Sequence, residues 1–223
     1  PMLPVRIRVV LVCVALALLA ACSAGPSFVA KKEPWRIKEE QACLASGAVR
    51  DNAFVRTKSS LGGPSPCGAV HPFEMSAAAG GRVLIKPAAL LRCPMIPQVD
   101  QWIVDVVEPA AREVYGVSLA EVRLMGSYSC RPINNAFGGI LSEHGHANAL
   151  DISGFVLADG RRISVKQGWN GDRQARAFLR AVHHGACAQF TTVLGPNYNR
   201  LHHNHFHVDL AYRGPDGTRT VCK

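Results

Sequence analysis

Six cysteines set the tightest limit on how this chain can fold: Cys43, Cys67, Cys93, Cys130, Cys187 and Cys222 are spread at wide intervals along most of its length. A cysteine zinc site calls for close pairs such as C-x-x-C, which this scatter does not provide. An even set of distant cysteines in an oxidising compartment pairs into disulfides that close long loops and brace one compact domain. Three bridges are therefore expected. Six cysteines allow 15 pairings, and the sequence does not choose among them.

The N-terminus supplies the route to such a compartment. Arg6 and Arg8 precede an uncharged apolar run over residues 9–21, too short to span a bilayer comfortably as a helix. The run closes on Leu19-Ala20-Ala21-Cys22, which resembles a bacterial lipobox. On that reading residues 1–21 are a lipoprotein signal peptide and Cys22 receives the lipid that anchors the exported protein to a membrane, the outer one in a Gram-negative cell. Ordinary signal cleavage with an incidental Cys22 is the alternative. The formal charge of +9 falls to +7 without the two leader arginines, so the mature protein stays basic. That charge suits cell-wall carboxylates, lipid headgroups or plain solubility. A nucleic-acid partner is not expected, because no aromatic and basic residues interleave along a strand and the compartment is wrong.

Residues 22–40 contain Gly25-Pro26 and Glu33-Pro34 with little periodicity, which reads as a tether. The folded domain is expected over residues 41–223. Apolar residues at Trp102, Ile103, Val106, Val107, Ala110 and Val114 follow helical spacing, with Pro109 expected to kink or break the helix. A second helix is signalled by Ala175, Phe178, Leu179 and Val182, with Asp172 as N-cap and Gly185 placed to end it. Strands are expected over residues 121–128, 150–157, 161–165, 190–194 and 205–212, the second and third joined as a hairpin across Asp159-Gly160. Helices interspersed among hairpins give an α+β class: a small antiparallel sheet with flanking helices.

Two polar segments carry the chemistry. In the first, His144 is followed seven residues later by Asp151, with a loop entering a strand between them. In the second, His202-His203-Asn204-His205-Phe206-His207-Val208-Asp209, strand alternation would present His205 and His207 on one face while Phe206 and Val208 pack inward. Imidazoles and a carboxylate brought to one point are the donor set of a zinc ion. His183 and His184, near a helix C-terminus, and His71, before a proline, do not suggest ligands; the helix end favours an imidazolium at the first two.

The pair Ser142-x-His144 with Asp151, followed by His205-x-His207, resembles the metal signature of D-Ala-D-Ala carboxypeptidases and lysostaphin-type endopeptidases. The longer string, Ser127-Tyr128-Ser129-Cys130-Arg131 through Ser142-Glu143-His144 and Asn148-Ala149-Leu150-Asp151 to Val193-Leu194-Gly195-Pro196 and His205-Phe206-His207, more closely resembles the bacterial extensin-like C-terminal domain family, from about Cys43 to Cys222. The resemblance implies Zn2+ held by His144, Asp151 and His207 with a fourth position open to water, and His205 as general base or oxyanion stabiliser. It further implies that Arg131 grips a substrate carboxylate, with Tyr128 a candidate substrate contact and Ser142 and Asp209 candidate supports of the ligands. Two positions depart from the relatives' pattern. Asn204 stands where some carboxypeptidases carry a catalytic glutamate, and Ala147 stands where a glycine is expected. The implied activity is hydrolysis of peptidoglycan stem peptides or cross-links. The alternative is a cell-wall-binding lipoprotein that retains the fold without catalysis.

Overall fold

The computed structural model describes residues 28–62 and 66–223; Cys22 and the leader lie outside them. Helix α1 (Pro34–Ser46) begins on a proline, whose missing N–H is no loss in a first turn, and ends where Gly47 takes φ 65° and donates to the Leu44 carbonyl. The expected boundary at Gln41 falls inside this helix, so the second half of the stretch read as a tether belongs to the folded unit. Strands β1 (Val55–Thr57), β2 (Phe73–Ala78) and β3 (Val83–Leu91) follow. Next come α2 (Met95–Trp102), a π-helical turn over Ile103–Val107, and α3 (Glu108–Tyr115). Pro109 neither kinks the chain out of the helix nor ends it. It sits in the first turn of α3, and the wide π turn before it accommodates a residue that cannot donate.

The remaining elements are β4 (Leu119–Gly126), β5 (Ala149–Leu157), β6 (Arg162–Ser164), α4 (Val165–Gly168), α5 (Arg173–Ala186), β7 (Thr192–Leu194), β8 (Phe206–Asp209) and β9 (Val221–Cys222). Asp172 caps α5 as expected, accepting from the Ala175 N–H at 2.9 Å. Gly185 does not terminate the helix, which runs on to Ala186. Its role is close approach, since a Cβ there would lie 2.4 Å from Val106 Cγ1. In the β5–β6 hairpin only Gly160 takes positive φ, at 88°, closing a type I turn with the Gly160 N–H on the Leu157 carbonyl.

The sheet is larger than expected and not purely antiparallel. Its nine strands run β1-β2-β3-β4-β5-β8-β7-β9, with β6 paired to β5, and the pairs β3–β4 and β7–β9 are parallel. The helical crossover of α2, the π turn and α3 between them makes β3–β4 parallel, a pairing that periodicity within either strand does not encode. Three disulfides brace the unit: Cys43–Cys93 ties α1 to the end of β3, Cys67–Cys130 joins two loops, and Cys187–Cys222 fastens β9 to the end of α5.

The core fixes which face of the sheet carries the site. Leu150, Ile152, Phe155 and Leu157 all enter the buried apolar cluster, although strict alternation would put the last two on the opposite face from the first two. The pairing Leu124↔Ile152 followed by Arg123↔Gly154 leaves Ser153 as an extra residue, and this bulge restores the core face for Phe155. Phe155 then meets Phe178 of α5 edge-on at 5.1 Å, while Trp102 of α2 donates to the Val182 carbonyl at 3.0 Å. Asp151, between Leu150 and Ile152, is turned to the other face.

Candidate metal centre

Pairing of β5 with β8 sets Asp151 directly opposite His207. Phe206 and Val208, each 1% exposed, anchor β8 in the core, so His207 and Asp209 point with Asp151 toward a cleft of about 580 Å³. His144 arrives from the 3₁₀ turn Glu143–His146 that leads into β5, a turn opened by the Ser142 hydroxyl accepting the His144 N–H at 3.3 Å. Ala147 closes that turn at φ 52°, a left-handed backbone where a glycine would sit unstrained. The long connection from Gly126 returns past the same point, because the Ser127 carbonyl lies 2.6 Å from His144 Nδ1.

Three donor atoms converge. His144 Nε2 is 3.1 Å from Asp151 Oδ1 and 3.2 Å from His207 Nδ1, and His207 Nδ1 is 3.0 Å from the same oxygen. Outer partners fix the ring protons. The Ser127 carbonyl can only accept, so His144 Nδ1 carries hydrogen and Nε2 offers its lone pair. Asp209 Oδ2, 2.9 Å from His207 Nε2, does the same for that ring and leaves Nδ1 facing inward. A tetrahedral ion bonded at about 2.0–2.1 Å to nitrogen and oxygen would hold its ligands about 3.3 Å apart. The observed triangle is within a few tenths of an ångström of that, and its N,N,O donor set suits zinc. The other grouping of this type among the described residues, His183 with Cys187 and Cys222, is closed by the disulfide between its cysteines.

Charge in the site follows from burial set against these contacts. Burial alone would raise the Asp151 carboxyl, but hydrogen bonds and charge from His144 and His207 hold it far below the carboxylate range. Burial would lower His207, yet its bonds to Asp151 and Asp209 outweigh that and push it up to about 9. Asp209 is lowered despite burial by His207, Thr192 and the Ala211 N–H, which donates to Oδ1 at 3.0 Å. The inner triangle thus carries a proton that a cation could replace.

His205 stands just before β8 with Nε2 3.5 Å from Asp151 Oδ1. Its Nδ1 lies 2.9 Å from Asn204 Oδ1, and burial, partly offset by Asp151, lowers its pKa. Asn204 thus holds this imidazole through its side-chain oxygen. Arg131 lines the cleft with Nη2 4.0 Å from Asp151 Oδ2. Tyr128 is half-buried and is not among the residues lining the cleft, so the loop that delivers Arg131 turns its tyrosine elsewhere. Glu143 lines the cleft, and its two oxygens are engaged by Arg36 and Asn148.

Other histidines gather nearby. His202 lines the cleft, its Nδ1 2.8 Å from Asn199 Oδ1, and burial with the neighbouring His205 and His207 pushes it down to about 4. His146 is likewise pushed down to about 4 by burial and by Arg36. His183 is not the helix-end imidazolium expected: it is buried against Trp169 and Phe206, and burial lowers its pKa. Arg36 and the Ser127 carbonyl were not legible as site groups. Neither a cation 107 residues from its partner nor a backbone oxygen leaves a mark in sequence spacing.

No curated protein and no solved structure matches the chain significantly. A family model does, over residues 41–223, the span that holds both polar segments, all six paired cysteines and every member of the convergent triangle. By that match the chain belongs to the family described as the extensin-like protein C-terminus.

Proposed function

We propose that this protein is a zinc-dependent hydrolase, a peptidase or amidase that cuts peptidoglycan stem peptides or cross-links. It would be exported and held by a lipid on Cys22, facing the periplasm or cell wall. The observation that carries the reading is the triangle of His144, Asp151 and His207, in which an outer acceptor holds the hydrogen of each ring's far nitrogen, so that a cation can take the place of the inner proton. Bound zinc would supply Lewis acidity, polarising a scissile carbonyl and acidifying a water. The similarity of the His/Asp/His pattern to carboxypeptidase and lysostaphin-type signatures supports the same reading.

The chain's own residues supply the remaining parts. His205, neutral and held through Nδ1 by Asn204, presents Nε2 beside the triangle, where it takes a proton from water and returns it to the leaving amine. Arg131 on the cleft wall offers two parallel donors to a substrate carboxylate. Lys31 and Arg213 line the same cleft and offer further cations to a carboxylate-bearing peptide, beside the wall carboxylates of Glu33 and Glu143.

The test is to prepare the oxidised protein and its His207→Ala variant, measure bound zinc, and incubate both with purified muropeptides. Zinc and cleavage products in the parent, and neither in the variant, are expected. Bound zinc without any product would favour a wall-binding module over an enzyme, and absence of zinc from both proteins would remove the metal reading.

A further inference from the structure

The residues just before the family-matched region form a wall of the cleft. Val29 runs beside Ile140 in a parallel bridge, donating to the Gly139 carbonyl at 2.8 Å and accepting from the Leu141 N–H at 3.0 Å. Lys31 and Glu33 line the cleft, and Trp35 packs on Tyr212 with ring centres 5.3 Å apart. Arg36, 9% exposed in the first turn of α1, then reaches across to Glu143, with Nη1 2.7 Å from Oε2 and Nη2 2.5 Å from Oε1. Its Nε donates to Glu33 at 2.6 Å, and buried Arg92 donates to its carbonyl.

Glu143 is the residue before His144, and it clasps the whole turn. Its Oε2 accepts from Asn148 Nδ2 at 2.7 Å and its carbonyl accepts from the Asn148 N–H at 3.0 Å. Asn148 in turn leads directly into β5 and Asp151. With only 16% of its side chain exposed, the Glu143 carboxylate is held in place by a matched cation that offsets its desolvation, and the planar two-pronged guanidinium provides that match. Without it, Glu143 turns toward water, Asn148 loses its partner, and the turn that aims His144 loosens.

We propose that residues 29–36 are a working wall of the metal cleft and that Arg36 is a positioning residue, whose fork on Glu143 holds the turn that aims His144. The proposal rests on the metal-centre reading above. Arg36 is not one of the three convergent ligands; it acts on them through Glu143.

The experiment compares the full chain with Arg36→Met, Arg36→Lys and Glu143→Gln. Zinc affinity is read by chelator competition, and geometry by the visible spectrum of the Co2+ form. Arg36→Met is expected to weaken zinc about tenfold or more and to alter the Co2+ spectrum, with Arg36→Lys recovering part of the loss. Arg82→Met, which breaks an ion pair with Glu108 outside the cleft, should leave affinity and spectrum unchanged even if it lowers stability. Zinc affinity within twofold of the parent and an unaltered spectrum in both Arg36→Met and Glu143→Gln would overturn the proposal. If Arg36→Met does not fold, Glu143→Gln decides alone. A parent chain that takes up no metal is a different failure, seen before any substitution, and removes the metal reading together with this one.

Discussion

Replacing Asp209 by asparagine alters one atom of the site's outer support and isolates what that atom does. Asp209 is 2% exposed; its Oδ2 takes the His207 Nε2 hydrogen at 2.9 Å and its Oδ1 takes the Ala211 N–H at 3.0 Å. An amide has only one oxygen for these two donors. If its NH2 faces His207, the ring must move its hydrogen to Nδ1, where it points at the metal position. If the amide is reversed, the NH2 opposes the Ala211 N–H instead. In the first case the ring turns an N–H on the metal position and in the second a donor faces a donor; either way a hydrogen bond to a charged group is lost, a change of about 1.5–3 kcal/mol. At about 1.4 kcal/mol per factor of ten, zinc should bind Asp209→Asn roughly 10- to 100-fold more weakly. Chelator competition at fixed pH measures this, with circular dichroism to confirm that the fold is intact. A well-folded Asp209→Asn that binds zinc within threefold of the parent would refute the tautomer argument and with it the assignment of Nδ1 as the ligand atom.

Three further outcomes are expected. His205→Ala should retain zinc within about threefold while peptide cleavage falls about 10²- to 10⁴-fold, as for loss of a general base; equal losses of metal and activity would instead make His205 a ligand. In metal-free protein, His207 is raised to about 9, so its contribution to stability is present below about pH 6.5 and is lost as pH rises through about 9. His146 and His202, lowered to about 4, take up protons in the unfolded chain first, so stability is also lost as pH falls from about 6.5 toward 4. Denaturant titrations in chelator should therefore show a maximum near pH 6.5, and a flat profile or a maximum above pH 8 would contradict these assignments. Gly185→Ala places a methyl 2.4 Å from Val106 Cγ1 and should lower stability by about 1–3 kcal/mol without changing zinc affinity, as thermal unfolding and competition titrations would show.

What the sequence determined by itself is local. The alternation His205-Phe206-His207-Val208 states which residues of β8 face the core, and burial of Phe206 and Val208 follows from their apolar side chains alone. Asp172 is legible as the cap of α5 because the bond it makes spans three residues. The widely scattered cysteines are legible as paired, because no close set among them can hold a metal. His144, Asp151 and His207 could be named because their residue types are rare in such a cluster and resemble a known pattern.

Tertiary structure decided what depends on elements meeting across long separations. Which of 15 disulfide pairings forms is fixed by where α1, β3 and β9 come to rest, not by spacing. Asp151 faces the cleft while Phe155 faces the core only because Ser153 bulges from β5, an adjustment made against the partner strand β4. Pro34 and Gly47 bracket α1 in sequence and could have marked a helix, but its worth lies in Arg36, whose partner Glu143 is 107 residues away. Whether an arginine in a charged N-terminal stretch is a solvated side chain or a buried brace depends on the carboxylate it meets. That meeting follows from the packing of α1 beside the turn that carries His144.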